Sequence, residues 1–274
     1  MDRTFEFLNN KSLRTVLVMF ALSLNISACT KESSTSAASS EIECPVPLKT
    51  FNQDEKEIAR KILESKGIPL TTDSFIEAID SKDETSVSDM IKLGVSLDAY
   101  GDRGETPLTA ALSFRSTKAI VEMLVNSGAN VNAPNRDGGI PFVLAINGQH
   151  DSATVILMLD HCTNVNGKSM LAPPGHGPFS EMFETPLTAA INRENLPLVQ
   201  LLIQKGADVN QKGGLGNQPP LNWAVGYGIE FVKPLVENGA DVNLGNDDGW
   251  TPLKVAIQNN LFDIAKFLKE HGAK

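Results

Sequence analysis

The sequence predicts an all-α repeat solenoid, in which helix-turn-helix pairs stack in register and β-hairpin loops project from one edge. Two motifs running in step predict it. The first is "SGANVN" (127–132), "HCTNVN" (161–166), "KGADVN" (205–210) and "NGADVN" (238–243). Gly128 to Cys162 is 34 residues, Gly206 to Gly239 is 33, and Gly239 to Gly272 is 33 again. The second is "TPLTAAL" (106–112), "IPFVLAI" (140–146), "TPLTAAI" (185–191), "PPLNWAV" (219–225) and "TPLKVAI" (251–257). A third observation lies between them. Segments such as "AIVEMLVNSG" (119–128) and "LVQLLIQKG" (198–206) repeat Leu, Ile and Val at i, i+3 and i+4, the stripe of an amphipathic helix. A fixed period of this size marks stacked units that cannot bury their apolar faces alone.

In chain order, residues 1–28 precede the fold. Arg3, Lys11 and Arg14 make a basic start, and "TVLVMFALSL" (15–24) is an apolar run, too short to span a bilayer as a helix. This is the pattern of a secretory signal. It ends in "ISAC" (26–29), which resembles the lipobox of bacterial lipoproteins. The resemblance implies that Cys29 becomes the lipid-bearing mature N-terminus. Thr30 stands where an Asp would imply retention at the inner membrane, so the implied location is the periplasmic face of the outer membrane. The residues alone leave open an ordinary cleavage site followed by a free cysteine. Residues 29–50, with "TKESSTSAASSEIE" (30–43), have almost nothing to bury and read as a flexible tether. Two further cysteines are Cys44 and Cys162. A Cys44–Cys162 bridge, which the periplasm permits, and a small buried Cys162 in place of a repeat glycine both remain open.

Residues 51–71 carry "NQDEKEIARKILESKG" (52–67), an amphipathic helix placed to cap the open face of the stack. The repeat domain spans 72–274, about five to six repeats. It opens on a degenerate first unit, "DSFIEAIDSKDETSVSDMIKLGVSLDA" (73–99), as solenoid ends usually do. In each later unit Thr caps a helix start and Pro fills the first turn, where its missing N–H costs nothing. Small Ala residues let two helices approach, and Gly at the helix end takes a positive φ. Pro234, within "EFVKPLVENG", is expected to bend its helix or delay its start. "DIAKFLKEHGAK" puts lysines on the last helix.

These units resemble the ankyrin repeat. The resemblance implies two antiparallel helices and an outward hairpin per unit, stacked in a curved solenoid that binds proteins. One departure is consistent: the histidine usual after Thr-Pro-Leu is Thr109, Val143, Thr188, Asn222 and Lys254 here. That histidine is a stabilising hydrogen-bonder in the family, so each repeat is expected to be individually weaker.

One unit is longer than the rest. Asn132 leads to Ile140 in eight steps, whereas Asn166 leads to Thr185 in nineteen. The excess lies in "GKSMLAPPGHGPFSEMFE" (167–184), at a hairpin rather than within a helix pair. Pro173, Pro174 and Pro178 would stiffen it, and Phe179, Met182 and Phe183 give it apolar side chains to insert. Long loops in compact proteins are functional or disordered; a partner-contacting finger and a passive loop are the two readings.

Composition excludes several functions. The chain is 41% hydrophobic and 21% charged, with a net charge of −9 and pI near 5.0. No basic patch of a nucleic-acid binder is visible. Removing residues 1–28, net +1, leaves the mature protein at −10. The histidines at 150, 161, 176 and 271 have no metal-ligand spacing. "GKS" (167–169) has the tail of a phosphate loop, but Cys162 stands at its first glycine and no strand precedes it. There is no G-x-S-x-G, no H-E-x-x-H and no isolated carboxylate pair for general acid/base work. The reading is a non-enzyme with no cofactor and no metal.

The family resemblance places partner contacts at hairpin tips and at exposed ends of the inner helices. At the inner helices these are Ser113, Phe114, Asn147, Gly148, Asn192, Arg193, Gly226, Tyr227, Gln258 and Asn259. At the hairpins they are Arg103, Arg136, Asp137, Met182, Phe183, Glu184, Leu215, Asp247, Asp248 and Trp250, with His176 and Phe179 in the finger. Aromatics and Arg dominate interface energies, so Phe114, Tyr227 and Trp250 stand out, although each could instead pack between repeats. Small ankyrin-repeat lipoproteins resemble immunity proteins that bind and inhibit antibacterial effectors of contractile (type VI-like) secretion systems, phospholipases included. The other function in view is a non-catalytic scaffold for a resident periplasmic enzyme or envelope stress response.

Overall fold

A computed structural model of the chain describes residues 50–113, 116–148, 150–170, 182–214 and 216–274. The expected signal segment, nearly all of the tether, Cys29 and Cys44 lie outside the described residues, as do Phe114, His176, Phe179 and Leu215. None of the helices among the described residues is long and apolar enough to cross a membrane.

Thirteen α-helices are described. α1 (Gln53–Lys66) stands alone, and the rest form six pairs: α2 (Thr72–Asp80) with α3 (Glu84–Lys92), α4 (Pro107–Ser113) with α5 (Lys118–Asn126), α6 (Pro141–Asn147) with α7 (Ser152–Asp160), α8 (Pro186–Asn192) with α9 (Leu196–Gln204), α10 (Pro220–Tyr227) with α11 (Ile229–Glu237), and α12 (Pro252–Gln258) with α13 (Phe262–Glu270). The first helices of the pairs pack one on the next, α2 through α12, as an inner row. This is why α4 and α8 bury six of their seven residues. Their Ala pairs, Ala110–Ala111 and Ala189–Ala190, are fully buried and leave room for that approach. The second helices form an outer row, and α1 packs on α3 at its start. One apolar core runs the length of the stack, from Leu63 to Leu268.

The helix starts are built as the sequence dictates, with one addition. Thr185 accepts from the N–H of Thr188 at 3.2 Å, while the Thr188 hydroxyl accepts from the N–H of Thr185 at 2.9 Å. Thr106 and Thr109 do the same. The threonines that replace the family histidine thus close a reciprocal cap, and Asn222 reaches into the next unit to donate to the Trp250 carbonyl at 2.8 Å. At these three positions other hydrogen bonds stand in for the histidine's, two of them local and one to the next unit. Asp83 caps α3 and also accepts from Lys66 of α1 at 2.9 Å. The Lys66 bond, then the Ser86 hydroxyl and N–H, hold its carboxyl down at about 2. Asp151 caps α7, and its carboxyl is lowered first by Thr154.

Pro234 corrects one of two expectations, the delayed start. α11 runs unbroken through it and starts directly after Gly228, a single-residue turn at φ 127°. The carbonyl that Pro234 cannot serve belongs to exposed Glu230, where water can satisfy it, so the missing N–H does not break the helix.

Helix ends and hairpins are tied between units. Gly94, Gly128, Gly206, Gly239 and Gly272 take positive φ after the outer helices. Cys162 occupies the same place at φ 55° and is only partly buried. It is disulfide-bonded, which rules out the reading of a small, inert residue filling space. A ladder of asparagines follows. Asn166 donates to the Gly206 carbonyl at 3.2 Å and accepts from the Asp208 N–H at 2.7 Å. Asn132, Asn210 and Asn243 repeat that pair of bonds in their own units.

Candidate protein-binding site

The insertion is a hairpin with a rigid root. β1 (Ser169–Met170) pairs antiparallel with β2 (Phe183–Glu184), in the register Ser169↔Glu184 and Met170↔Phe183. Both flanks are hydrogen-bonded to neighbouring hairpins: Met170 N–H donates to the Gly138 carbonyl at 2.9 Å, and Gly214 N–H donates to the Phe183 carbonyl at 2.6 Å. Further along the same edge Arg136 N–H donates to Gly104 and Asp247 N–H donates to Gly216. Close approach is part of the design, since a Cβ on Gly138 would lie 2.3 Å from Met170 Cγ. Lys168 lies over the Phe183 ring at 4.3 Å, and the Ser169 hydroxyl accepts from the Ile140 N–H at 3.1 Å. The "GKS" residues therefore belong to the hairpin root.

From the hairpin root, a chain of polar side chains crosses three inner helices. Glu184 accepts from Asn147 at 2.8 Å and from Asn192 at 3.0 Å. Arg193 donates to the Asn147 side-chain oxygen at 3.2 Å, and the Tyr227 hydroxyl reaches that of Asn192 at 3.5 Å. The chain joins β2 to the ends of α6, α8 and α10. Here the structure corrects the sequence reading of Glu184. It is 7% exposed and holds two amides in place, so it is a positioning group rather than a tip contact. Tyr227 is partly buried against the core, its ring 6.1 Å from that of Phe231; only part of it is exposed. Met182 and Phe183 are likewise partly buried at the finger root.

The remaining expected contacts fall on either side. Arg103 is exposed but engaged by Asp80 at 2.7 Å and Glu105 at 2.8 Å, which raise its already high pKa, Asp80 most. Asp73, Glu77, Asp80, Asp102 and Glu105 surround it, so this end of the inner face is acidic. Arg136 is exposed and stacks over Tyr100 at 5.4 Å, and Asp137 is exposed beside it. Tyr100 is an exposed hairpin aromatic that sequence reasoning missed. Its only signal was its place in a degenerate repeat, where motif register is weakest. At the other end Asp247 and Asp248 are exposed, and Asp247 accepts from Asn217 at 3.2 Å. Trp250 is 39% exposed, with its backbone pinned by Asn246 and Asn222. Ser113, Gly226, Gln258 and Asn259 are exposed; Asn147, Gly148 and Asn192 are partly so.

The arrangement has the parts of an interface and no catalytic constellation among the described residues. The three described histidines each bond a backbone carbonyl: His150 that of Leu112, His161 that of Leu157 and His271 that of Phe267. No group of three or more His, Cys, Asp or Glu among the described residues could hold a metal ion.

Comparison with known proteins agrees with this geometry. A family model of three ankyrin repeats matches residues 158–246 and 187–274, and a single ankyrin repeat matches 103–136. B-cell lymphoma 3 protein homolog of Mus musculus is 28% identical over 190 residues, 66% of this chain, which spans only 40% of that protein. An ankyrin repeat domain from Acinetobacter baumannii AYE superposes with a TM-score of 0.61 at 26% identity, covering 73% of this chain and 98% of that one. A chain from the structure of the Bd0816 predatory endopeptidase of Bdellovibrio bacteriovorus in complex with immunity protein Bd3460 superposes with a TM-score of 0.59. It is 22% identical, covers 73% of this chain and 98% of its own, and shares the fold. With its repeat period, paired helices, hairpin edge and matched residues in agreement, the chain belongs to the ankyrin-repeat family, whose repeats are protein-interaction modules.

Proposed function

We propose that the protein is an immunity protein: it binds a toxic antibacterial effector enzyme on its inner-helix face and finger and blocks that enzyme's active site. The observation that carries this reading is the chain Arg193–Asn147–Glu184–Asn192–Tyr227 at the hairpin root. A preorganised polar surface beside a hairpin root needs no chemistry of its own to occlude an enzyme cleft. The fold likeness to a structure that contains an immunity protein supports immunity as a use of this solenoid, and the enzyme there is an endopeptidase. The phospholipase class of the effector, and a type VI-like delivery route, rest on the resemblance of small ankyrin lipoproteins to such inhibitors. Placement at the periplasmic face of the outer membrane rests on "ISAC" and Cys29. The acidic surround of Arg103 favours a partner with basic residues at that end.

The test uses the mature chain and a lipase-like antibacterial effector, in a phospholipid-hydrolysis assay. Stoichiometric complex formation should abolish hydrolysis. Trp250→Ala should weaken the complex roughly 30-fold, the value of a 2 kcal/mol hot spot, with melting almost unchanged. An effector that binds yet keeps hydrolysing favours the scaffold reading instead. Loss of a peptidase activity alone would retain inhibition and discard the phospholipase class.

A further inference from the structure

The four arginines among the described residues are engaged in different ways. Arg60 pairs with Glu57 at 3.1 Å. Arg103 is held between Asp80 and Glu105, and Arg136 lies over the Tyr100 ring. Arg193 is exposed and meets neither a carboxylate nor a ring among the described residues. Its side chain makes one bond there, from Nε to Asn147 Oδ1 at 3.2 Å.

That bond is the outer end of a relay that begins at a buried carboxylate. Glu184 Oε2 accepts from Asn147 Nδ2 at 2.8 Å, and its Oε1 accepts from Asn192 Nδ2 at 3.0 Å. Burying a carboxylate without a cation is costly unless its oxygens are hydrogen-bonded. Arg193, next in the chain to Asn192, would be the ordinary cation for it. Instead both oxygens are taken by amides, and Asn147 stands between the two charges. Its amide can face only one way, with Nδ2 to Glu184 and Oδ1 to Arg193. Donation to an anion polarises that amide and makes its oxygen the better acceptor. The guanidinium is planar, so fixing Nε–H sets its plane. The bond uses Nε, and the edge formed by Nη1 and Nη2 stays unoccupied.

That edge is the fork that takes a carboxylate by two parallel bonds. The setting selects among anions. The chain carries a net charge of −9, and Glu194 is exposed beside the arginine. A doubly charged phosphate meets more repulsion there than a flat, singly charged carboxylate. We infer that Arg193 is a carboxylate-binding point on the inner-helix face, oriented by Asn147 and Glu184, and that it takes an Asp or Glu side chain of the protein partner. This deepens the proposed function and rests on its placement of the partner on that face. A partner lying along the inner row then needs basic residues at the Arg103 end and an acid at the end of α8.

The experiment is a titration of the mature chain with sodium acetate at constant ionic strength, followed by nitrogen NMR of the arginine Nε–H groups. The Arg193 signal should shift saturably, with a midpoint at least about fivefold below that of Arg136 in the same sample, because only Arg193 is preorganised by a relay. Inorganic phosphate should bind no tighter than acetate. Equal midpoints for Arg193 and Arg136, or no saturable shift at Arg193, would overturn the site, and this comparison needs no variant. Tighter phosphate binding would overturn the carboxylate class. Asn147→Ala should raise the Arg193 midpoint to that of Arg136; an unchanged midpoint would discard the orienting role. With the effector, Arg193→Lys keeps the charge but loses the fork, and should weaken the complex at least about tenfold with melting almost unchanged. Equal binding by parent and Arg193→Lys would overturn the partner contact. An effector that does not bind the parent counts against the immunity reading, and the acetate titration then decides the site by itself.

Discussion

Single residues divide here into those that touch a partner and those that hold the touching residues still, and burial separates them. Glu184 and Trp250 are both hairpin residues, yet one is 7% exposed and the other 39%. Sequence position could not distinguish them, because burial of Glu184 depends on Asn147 and Asn192 arriving from two other units. A buried carboxylate is retained only when hydrogen-bonded. Glu184→Ala strands two partly buried amide groups, so it should cost about 1–2 kcal/mol, read as a lower melting temperature. Glu184→Gln keeps the shape and one acceptor and should recover part of that loss. If Glu184→Ala melts like the parent while partner binding falls, Glu184 is a direct contact and the positioning role is wrong. Arg103 teaches a related lesson. Its charge was legible in the sequence, but its engagement by Asp80 and Glu105 was not, because Asp80 lies 23 positions away.

At the scale of elements, the helices were legible because their signals are local. Thr-Pro starts, Ala pairs, apolar stripes and glycine ends all act within one turn or one helix. The delayed start expected from Pro234 did not occur, because the cost of a proline depends on whether the stranded carbonyl meets water, and exposure is a tertiary property. The finger was legible as an excess of residues, and its tethering to Gly138 and Gly214 was not. That tethering permits a clean excision. Because Met170 pairs with Phe183, residues 171–182 can be replaced by Asn-Gly, the favoured two-residue turn of such a hairpin. Helix content should be unchanged and melting should shift by no more than a few degrees, since the stacked core is untouched. Partner affinity should fall at least tenfold, and equal affinity in both proteins would show the finger to be passive.

Across the whole molecule, one core runs through six helix pairs and one capping helix, so each unit is stabilised by its neighbours. The ends show what that means. Ile191 and Ile257 occupy the same motif position; Ile191 is fully buried by the following pair, and Ile257 is 53% exposed, with no further pair over it among the described residues. The proposed anchor belongs to this scale too, because it decides where the solenoid works and not how it folds. Cys29→Ser should leave the melting curve of the repeats intact and move the protein from the membrane to the soluble fraction. A variant that stays with outer membranes, beside a parent that takes up no labelled fatty acid, would discard the lipid. By itself the sequence determined the repeat period, the helix pairs and the place of the finger, because a solenoid is built from contacts between nearest neighbours and each unit repeats the same local code. Only the tertiary structure decided which tip residues are buried, that Asn147, Glu184 and Asn192 form one bonded chain, and that Cys162 is bridged. Those depend on residues brought together across units, whose meeting no local pattern encodes.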